Sequence, residues 1–252
     1  MLEQLCSVER VDGRIYCREY SGRAPVFRDR LEAGRLLGIF VKQVFGSGGV
    51  DVVFGLAAGG IPVAFEVSRV IGACFDTIVV KKITFPWTTE AGFGAVAIDG
   101  SFEYDERVAH DYLGYDRETM KVLIDSTRRY VFERTLRLRG ETFYPRLEKM
   151  RVMLVDDGIA TGYTMVVGVK FLRKLGAEQV IAAAPTASVD GAERVSRVAD
   201  QVVVLNLRGG PYYAVADAYF EWHDVSDEEA RSYIEKAVKE KLACTWVSKQ
   251  SS

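Results

Sequence analysis

The stretch Val152-Met153-Leu154-Val155-Asp156-Asp157-Gly158-Ile159-Ala160-Thr161-Gly162-Tyr163-Thr164 decides how this chain reads. Four apolar residues in a row fit a strand buried on both faces. Two adjacent carboxylates stand at its end. A Gly-X-Ala-Thr-Gly turn follows, and the apolar run Met165 to Val169 starts a helix. Adjacent acids at the end of a buried strand are costly unless a ligand or donors satisfy them. The N–H groups of the turn and the positive end of the helix favour an anion. Carboxylates accept hydrogen bonds from two vicinal hydroxyls. The segment therefore predicts a site for a phosphorylated, hydroxyl-bearing ligand.

Outward from this stretch, strand and helix patterns alternate. Val8 to Tyr20, with Asp12-Gly13 at its middle, reads as a hairpin. Leu36, Leu37, Phe40, Val41, Val44 and Phe45 share one helical face, and the glycines from 46 to 49 end that helix. Val50 to Leu56 reads as a buried strand. Ala57-Ala58-Gly59-Gly60 is the turn after it, and Pro62 suits the first turn of a helix to about Ile71. Thr77 to Ile83 and Ala95 to Ile98 read as two further strands. Residues 101–149 hold ten acids and ten bases, which fits one long exposed helix from about Asp105 to Leu138. Beyond the opening motif, Val180 to Pro185 and Gln201 to Leu207 are strands, with Ser188 to Ala199 helical between them. Ser226-Asp227-Glu228-Glu229 starts a last helix to about Leu242.

This alternation predicts an α/β fold: a parallel sheet with helices on both faces. Ligands of such sheets bind beyond the carboxyl ends of the strands. Both the 57–60 turn and the acidic pair are expected at such ends. The expected organisation is an extension over residues 1–25, and a main domain over 26–252 that carries the charged helical insertion at about 101–149.

The chain has 252 residues, 48% of them hydrophobic, and a net charge of 33 − 35 = −2. It is long enough for one large domain with a sizeable core. The charge balance gives no footprint for nucleic acid or a membrane surface. The longest uncharged run, Val52 to Phe65, is broken by Gly55, Gly59, Gly60 and Pro62 and is too short to span a bilayer. No secretory leader is visible at Met1 to Arg10. The four cysteines, Cys6, Cys17, Cys74 and Cys244, lack metal-site spacing. They are expected as thiols in a reducing cytoplasm, with a Cys6–Cys17 bridge left open.

The order of residues in 152–164 resembles the phosphoribosyl-diphosphate (PRPP) signature of type I phosphoribosyltransferases. The wider likeness runs from Phe27-Arg28-Asp29-Arg30 through Gly59 to Ala64 and on to Val225-Ser226-Asp227-Glu228-Glu229, closest to an uncharacterised "predicted phosphoribosyltransferase" branch. The resemblance implies the type I fold with a small hood. It makes Asp156 and Asp157 ribose ligands and the catalytic pair, and Gly158, Ile159, Ala160, Thr161, Gly162 and Thr164 the cradle of the 5-phosphate. Gly158 stands where an aliphatic residue is usual. Ala57, Ala58, Gly59 and Gly60 would bind the diphosphate, in a turn that often holds a cis peptide. Ala58 replaces the usual basic or polar residue, so a base from elsewhere is needed: Lys81 or Lys82. The glycine-rich stretch Glu90 to Ala95 would line the same cleft. Arg137 and Arg139 are the lid candidates. Tyr212, Tyr213 and Asp217 are the hood candidates.

The implied reaction moves a 5-phosphoribosyl group from PRPP to a nitrogen acceptor such as a nucleobase, with release of diphosphate. Mg2+ would be held mainly through the substrate, with Asp156, Asp157 and Asp217 as protein candidates. A homodimer is also implied. The alternative is a PRPP-binding regulatory protein without catalysis, which Ala58 favours. A P-loop enzyme is excluded, since no G-x-x-x-x-G-K-[ST] occurs.

Overall fold

Alternate residues of the central strands go to opposite faces of one sheet, and both faces are covered. The computed structural model describes residues 5–88, 92–210 and 212–246. Glu90 and Ala91 of the glycine-rich stretch, and Pro211 in the hood segment, lie outside the described residues.

The hairpin forms as expected from β1 (Val8–Val11) and β2 (Arg14–Cys17). Asp12 and Gly13 both have positive φ, 48° and 76°, as a two-residue hairpin turn requires. β2 then pairs parallel with β10 (Gln201–Arg208), so the hairpin extends the main sheet. The other strands of that sheet are β3 (Val52–Leu56), β4 (Cys74–Ile78), β8 (Arg151–Val155) and β9 (Gln179–Ser188). Their order is β1-β2-β10-β9-β8-β3-β4, and every pairing but the hairpin is parallel.

On one face, Val53, Met153, Val155, Ile181 and Val203 pack with α1 (Arg30–Phe45), α2 (Gly60–Ile71) and α6 (Asp227–Lys239). On the other, Phe54, Leu154, Ala182 and Val204 pack with α4 (Tyr163–Lys174) and α5 (Val189–Ser196). Asp29 caps α1, Ser188 caps α5 and Ser226 caps α6, each accepting a backbone N–H three residues on.

Four expectations change. The single strand over Thr77–Ile83 is two strands in different sheets. β4 ends at Ile78, and after Val79 the chain enters β5 (Val80–Thr84). The strand expected at Ala95–Ile98 is β6 (Gly92–Ala97). It pairs antiparallel with β5 and β7 (Phe102–Tyr104) in a separate three-stranded sheet. The long charged helix is interrupted. A π-helical turn spans Arg107–Tyr112, Gly114 turns the chain at φ 67°, and Asp116 caps α3 (Arg117–Arg139). Charge patterning does not register such a break, because both halves share the composition. Finally, the cysteines are paired, Cys6 with Cys17 and Cys74 with Cys244. The second pair joins β4 to the segment after α6, which runs beside Phe75 and bonds to it at both Leu242 and Cys244. Among the described residues no helix is long and apolar enough to cross a membrane.

Candidate functional site

The chain that leaves β3 goes through α2 to β4 on one side. The chain that leaves β8 goes through α4 to β9 on the other. The two turns therefore diverge from neighbouring strand ends. Such a switch point leaves a crevice between the loops, and this crevice holds the acidic pair and the 57–60 turn.

The two turns touch. A Cβ on Gly59 would lie 2.1 Å from Asp157 Oδ2, and one on Gly60 would lie 2.5 Å from the Val155 carbonyl oxygen. Glycine is needed at both for this approach. The Ala57–Ala58 peptide is cis. The Ala57 N–H donates to the Ile78 carbonyl, and the Ile61 N–H to that of Ala58.

After the acids, the chain is tied to the sheet. The Ile159 N–H donates to Thr186, and Ser188 donates back to Ile159 through its N–H and to the Ala160 carbonyl through its hydroxyl. The N–H groups of Ala160, Thr161 and Gly162 have no acceptor among the described residues. They precede the N-terminus of α4, where Gly162 takes φ 83°. An anion is the natural acceptor for such a group of donors. Arg194 braces the turn from outside: its Nε donates to the Thr161 carbonyl at 2.9 Å, and its guanidinium lies 4.4 Å from the Tyr163 ring centre. The departure at Gly158 has a local cause. A Cβ there would lie 2.3 Å from Val215 Cγ1, so Val215 occupies the space an aliphatic residue 158 would take.

The two carboxylates differ. Burial, and then the Asp157 charge beside it, raise the Asp156 pKa well above the ordinary carboxyl range, partly offset by the Asp157 N–H and then by Lys82. Asp156 Oδ1 accepts the Asp157 N–H at 2.9 Å. Asp157 Oδ2 accepts from Arg30 Nε at 2.8 Å, with the two side chains 13% and 7% exposed. Tyr219 donates its hydroxyl to the Asp157 carbonyl at 2.6 Å.

Strand alternation separates the two lysines. Lys82 pairs across from Ala95, which faces the core shared with α4, and its charge acts on Asp156. Lys81 points to the other face, where its ammonium lies 5.4 Å from the Tyr130 ring of α3. The expected lid arginines sit in the last turn of α3. Arg139 is buried, holds both oxygens of Asp76 at 2.8 Å, donates to the Phe143 carbonyl and stacks on Tyr144. These contacts tie the end of α3 to β4. Arg137 is exposed and lies 3.5 Å from Asp227. In the hood segment Tyr212 is 90% exposed. Tyr213 donates its hydroxyl to Thr186 Oγ1 at 3.2 Å, under the guanidinium of Arg208. Burial raises its pKa, with smaller contributions from Asp157 and Asp156. Asp217 pairs with Arg208 at 3.4 Å. Beside Thr186, the Asn206 Oδ1 is buried without a hydrogen-bond partner.

The sequence reading missed Arg30. One signal was present: a cation in the first turn of a helix opposes the macrodipole and calls for a partner elsewhere. For a metal, the only trio of ligands within reach of one another among the described residues is Cys6, Cys17 and Glu19, whose sulfurs are already bonded to each other. The carboxylates of Asp156 and Asp157 carry the hard oxygen donors that would suit a cation such as Mg2+. Two surface clefts, of about 430 and 690 Å³, lie along the three-stranded sheet and α3, and neither is lined by Asp156 or Asp157.

An acidic pair, an amide-lined turn and a helix start thus meet at one switch point of an α/β sheet. The chain belongs to the phosphoribosyl transferase domain family, which matches residues 31–208. It is 35% identical over 216 residues to a putative phosphoribosyl transferase of Mycobacterium tuberculosis, which covers 84% of this chain and 47% of that protein. The chain thus spans about half the length of the curated relatives it matches. A solved structure, TT1426 from Thermus thermophilus, superposes with a TM-score of 0.67 at 30% identity, over 86% of this chain and 99% of that one. A shorter match, 47% identical over 57 residues, is to the ribose-phosphate pyrophosphokinase of Pyrococcus furiosus, and it covers 22% of this chain and 20% of that protein.

Proposed function

We propose that this protein binds PRPP with magnesium and transfers its 5-phosphoribosyl group to a nitrogen acceptor, such as a nucleobase, releasing diphosphate. The observation that carries this reading is the contact of the two turns: the Gly59 position abuts Asp157, and the unacceptored amides of 160–162 follow on the same chain. Asp156 and Asp157 would accept the ribose hydroxyls. The turn from Gly158 to Thr164 would hold the 5-phosphate, and Ala57 to Gly60 with Lys82 the diphosphate. The acceptor nitrogen attacks the anomeric carbon as the bond to diphosphate breaks, and its proton leaves to a carboxylate or to solvent. Positive charge on the ring is balanced by the two acids, so the protein acts by positioning and charge. Magnesium, when bound, makes diphosphate a better leaving group.

In this reading residues 26–252 carry the activity, residues 1–25 are an extension, residues 101–149 are an insertion, and two copies associate. The family membership and the named relatives support transfer. Ala58, which places a methyl where the family's diphosphate turn usually has a polar group, favours a second reading: a regulatory protein that binds PRPP without turnover. Diphosphate release from PRPP across a panel of purines, pyrimidines and amines separates the two. Release with any acceptor supports the transferase, and PRPP binding without release supports the regulator.

A further inference from the structure

Arg30 is more buried than a surface cation and better connected than a helix start needs. Asp29 already caps α1, and Glu32 supplies the acid of its first turn. The guanidinium of Arg30 instead reaches across the crevice. Its Nε donates to Asp157 Oδ2 at 2.8 Å, its Nη1 donates to the His223 carbonyl at 2.7 Å, and its Cζ lies 3.8 Å from the Trp222 ring centre. The Gly59 turn also lies close to Oδ2, which a Cβ at position 59 would approach to 2.1 Å. Asp157 Oδ1 has no hydrogen bond among the described residues.

We propose that Arg30 is a positioning residue: by gripping Oδ2 and the Trp222–His223 segment together, it fixes the Asp157 carboxylate so that Oδ1 faces the ribose of PRPP. This rests on the PRPP reading given above. The charge of Arg30 has a second consequence. PRPP is strongly anionic, and two bare carboxylates would repel it. A fixed guanidinium neutralises one of them without occupying the free oxygen.

The test is a thermodynamic cycle on PRPP affinity, by titration calorimetry with magnesium, over wild type, Arg30→Gln, Asp157→Asn and the double variant. Arg30→Gln should bind about tenfold or more weakly, and Arg30→Lys should fall between it and wild type. In the Asp157→Asn background, Arg30→Gln should cost little more, because the oxygen it positions no longer carries the charge. A merely structural arginine would lower affinity equally in both backgrounds, and that additive result overturns the proposal, as does an Arg30→Gln variant that binds like wild type. Both outcomes leave the PRPP reading standing. A folded wild type that does not bind PRPP overturns that reading and this one with it. If Arg30→Gln melts below the assay temperature, the same cycle is run with Arg30→Lys, which keeps charge and bulk but cannot serve Asp157 and His223 together.

Discussion

Gly59 and Asp157 are in contact closer than any side chain at position 59 would permit, since a Cβ there would stand 2.1 Å from Asp157 Oδ2. The obstruction is a carboxylate held by Arg30, so it cannot swing away without breaking a buried ion pair. Gly59→Ala should therefore displace the acid and weaken PRPP binding about tenfold or more, while the fold survives with a loss of about 1–3 kcal/mol. Calorimetry and a urea titration read the two effects separately.

Gly158 and Val215 divide one volume between them. Gly158→Ala alone should destabilise by about 1–3 kcal/mol, because Val215 Cγ1 would lie 2.3 Å from the new methyl. Adding Val215→Ala should restore most of that stability. A double variant as unstable as the sum of its singles would contradict the shared-volume explanation.

Alternation along β5 makes the two lysines unequal. Lys82→Ala should lower PRPP affinity about tenfold, since its charge bears on Asp156. Lys81→Ala, which loses a contact with Tyr130 on the other face, should leave affinity within about twofold. A reversed ranking would mean that the strand presents its other face to the ligand.

Arg139 and Arg137 should separate in the same way, but in stability. Arg139→Ala removes the partner of a buried Asp76, with side chains 5% and 10% exposed, and should cost about 3–5 kcal/mol in denaturant unfolding. Arg137→Ala, at an exposed pair, should cost under about 1 kcal/mol.

Asp156 imposes a pH dependence on the ligand-free protein. Its folded pKa lies above the ordinary value of 3.8, so the native state binds more protons than the unfolded chain between the two. Stability from this group is therefore greatest at low pH and falls as pH rises from that value through the raised one. Asp156→Asn should raise the melting temperature at neutral pH and flatten its dependence on pH, while it weakens PRPP binding. A variant that melts lower at neutral pH would contradict the burial cost assigned to this acid.

Much of the site was legible because its signals are local. Asp156 to Thr164 read as strand end, acid pair, turn and helix start, and these elements form in that order. The parallel sheet followed from alternation, and the hairpin from Asp12-Gly13. What stayed hidden depends on distant partners. Nothing around Val79 marks the passage from one sheet to another, since an apolar residue suits either strand. Gly158 read as a departure until Val215 filled its place. Arg139 read as a lid candidate beside Arg137, and nothing local marked its partner Asp76, 63 residues away. Cys74 and Cys244 are 170 residues apart, beyond any spacing rule. Arg30 lies 127 residues from Asp157, and only its awkward place at a helix start hinted at a partner.

The most direct measurement is a calorimetric titration of the full chain with PRPP, with and without magnesium, beside the Asp156→Asn/Asp157→Asn double variant. Magnesium-dependent binding by the wild type that disappears in a folded double variant is the expected result. A folded wild type that takes up no PRPP under either condition, or a double variant that binds as tightly as wild type, would contradict the assignment of this crevice.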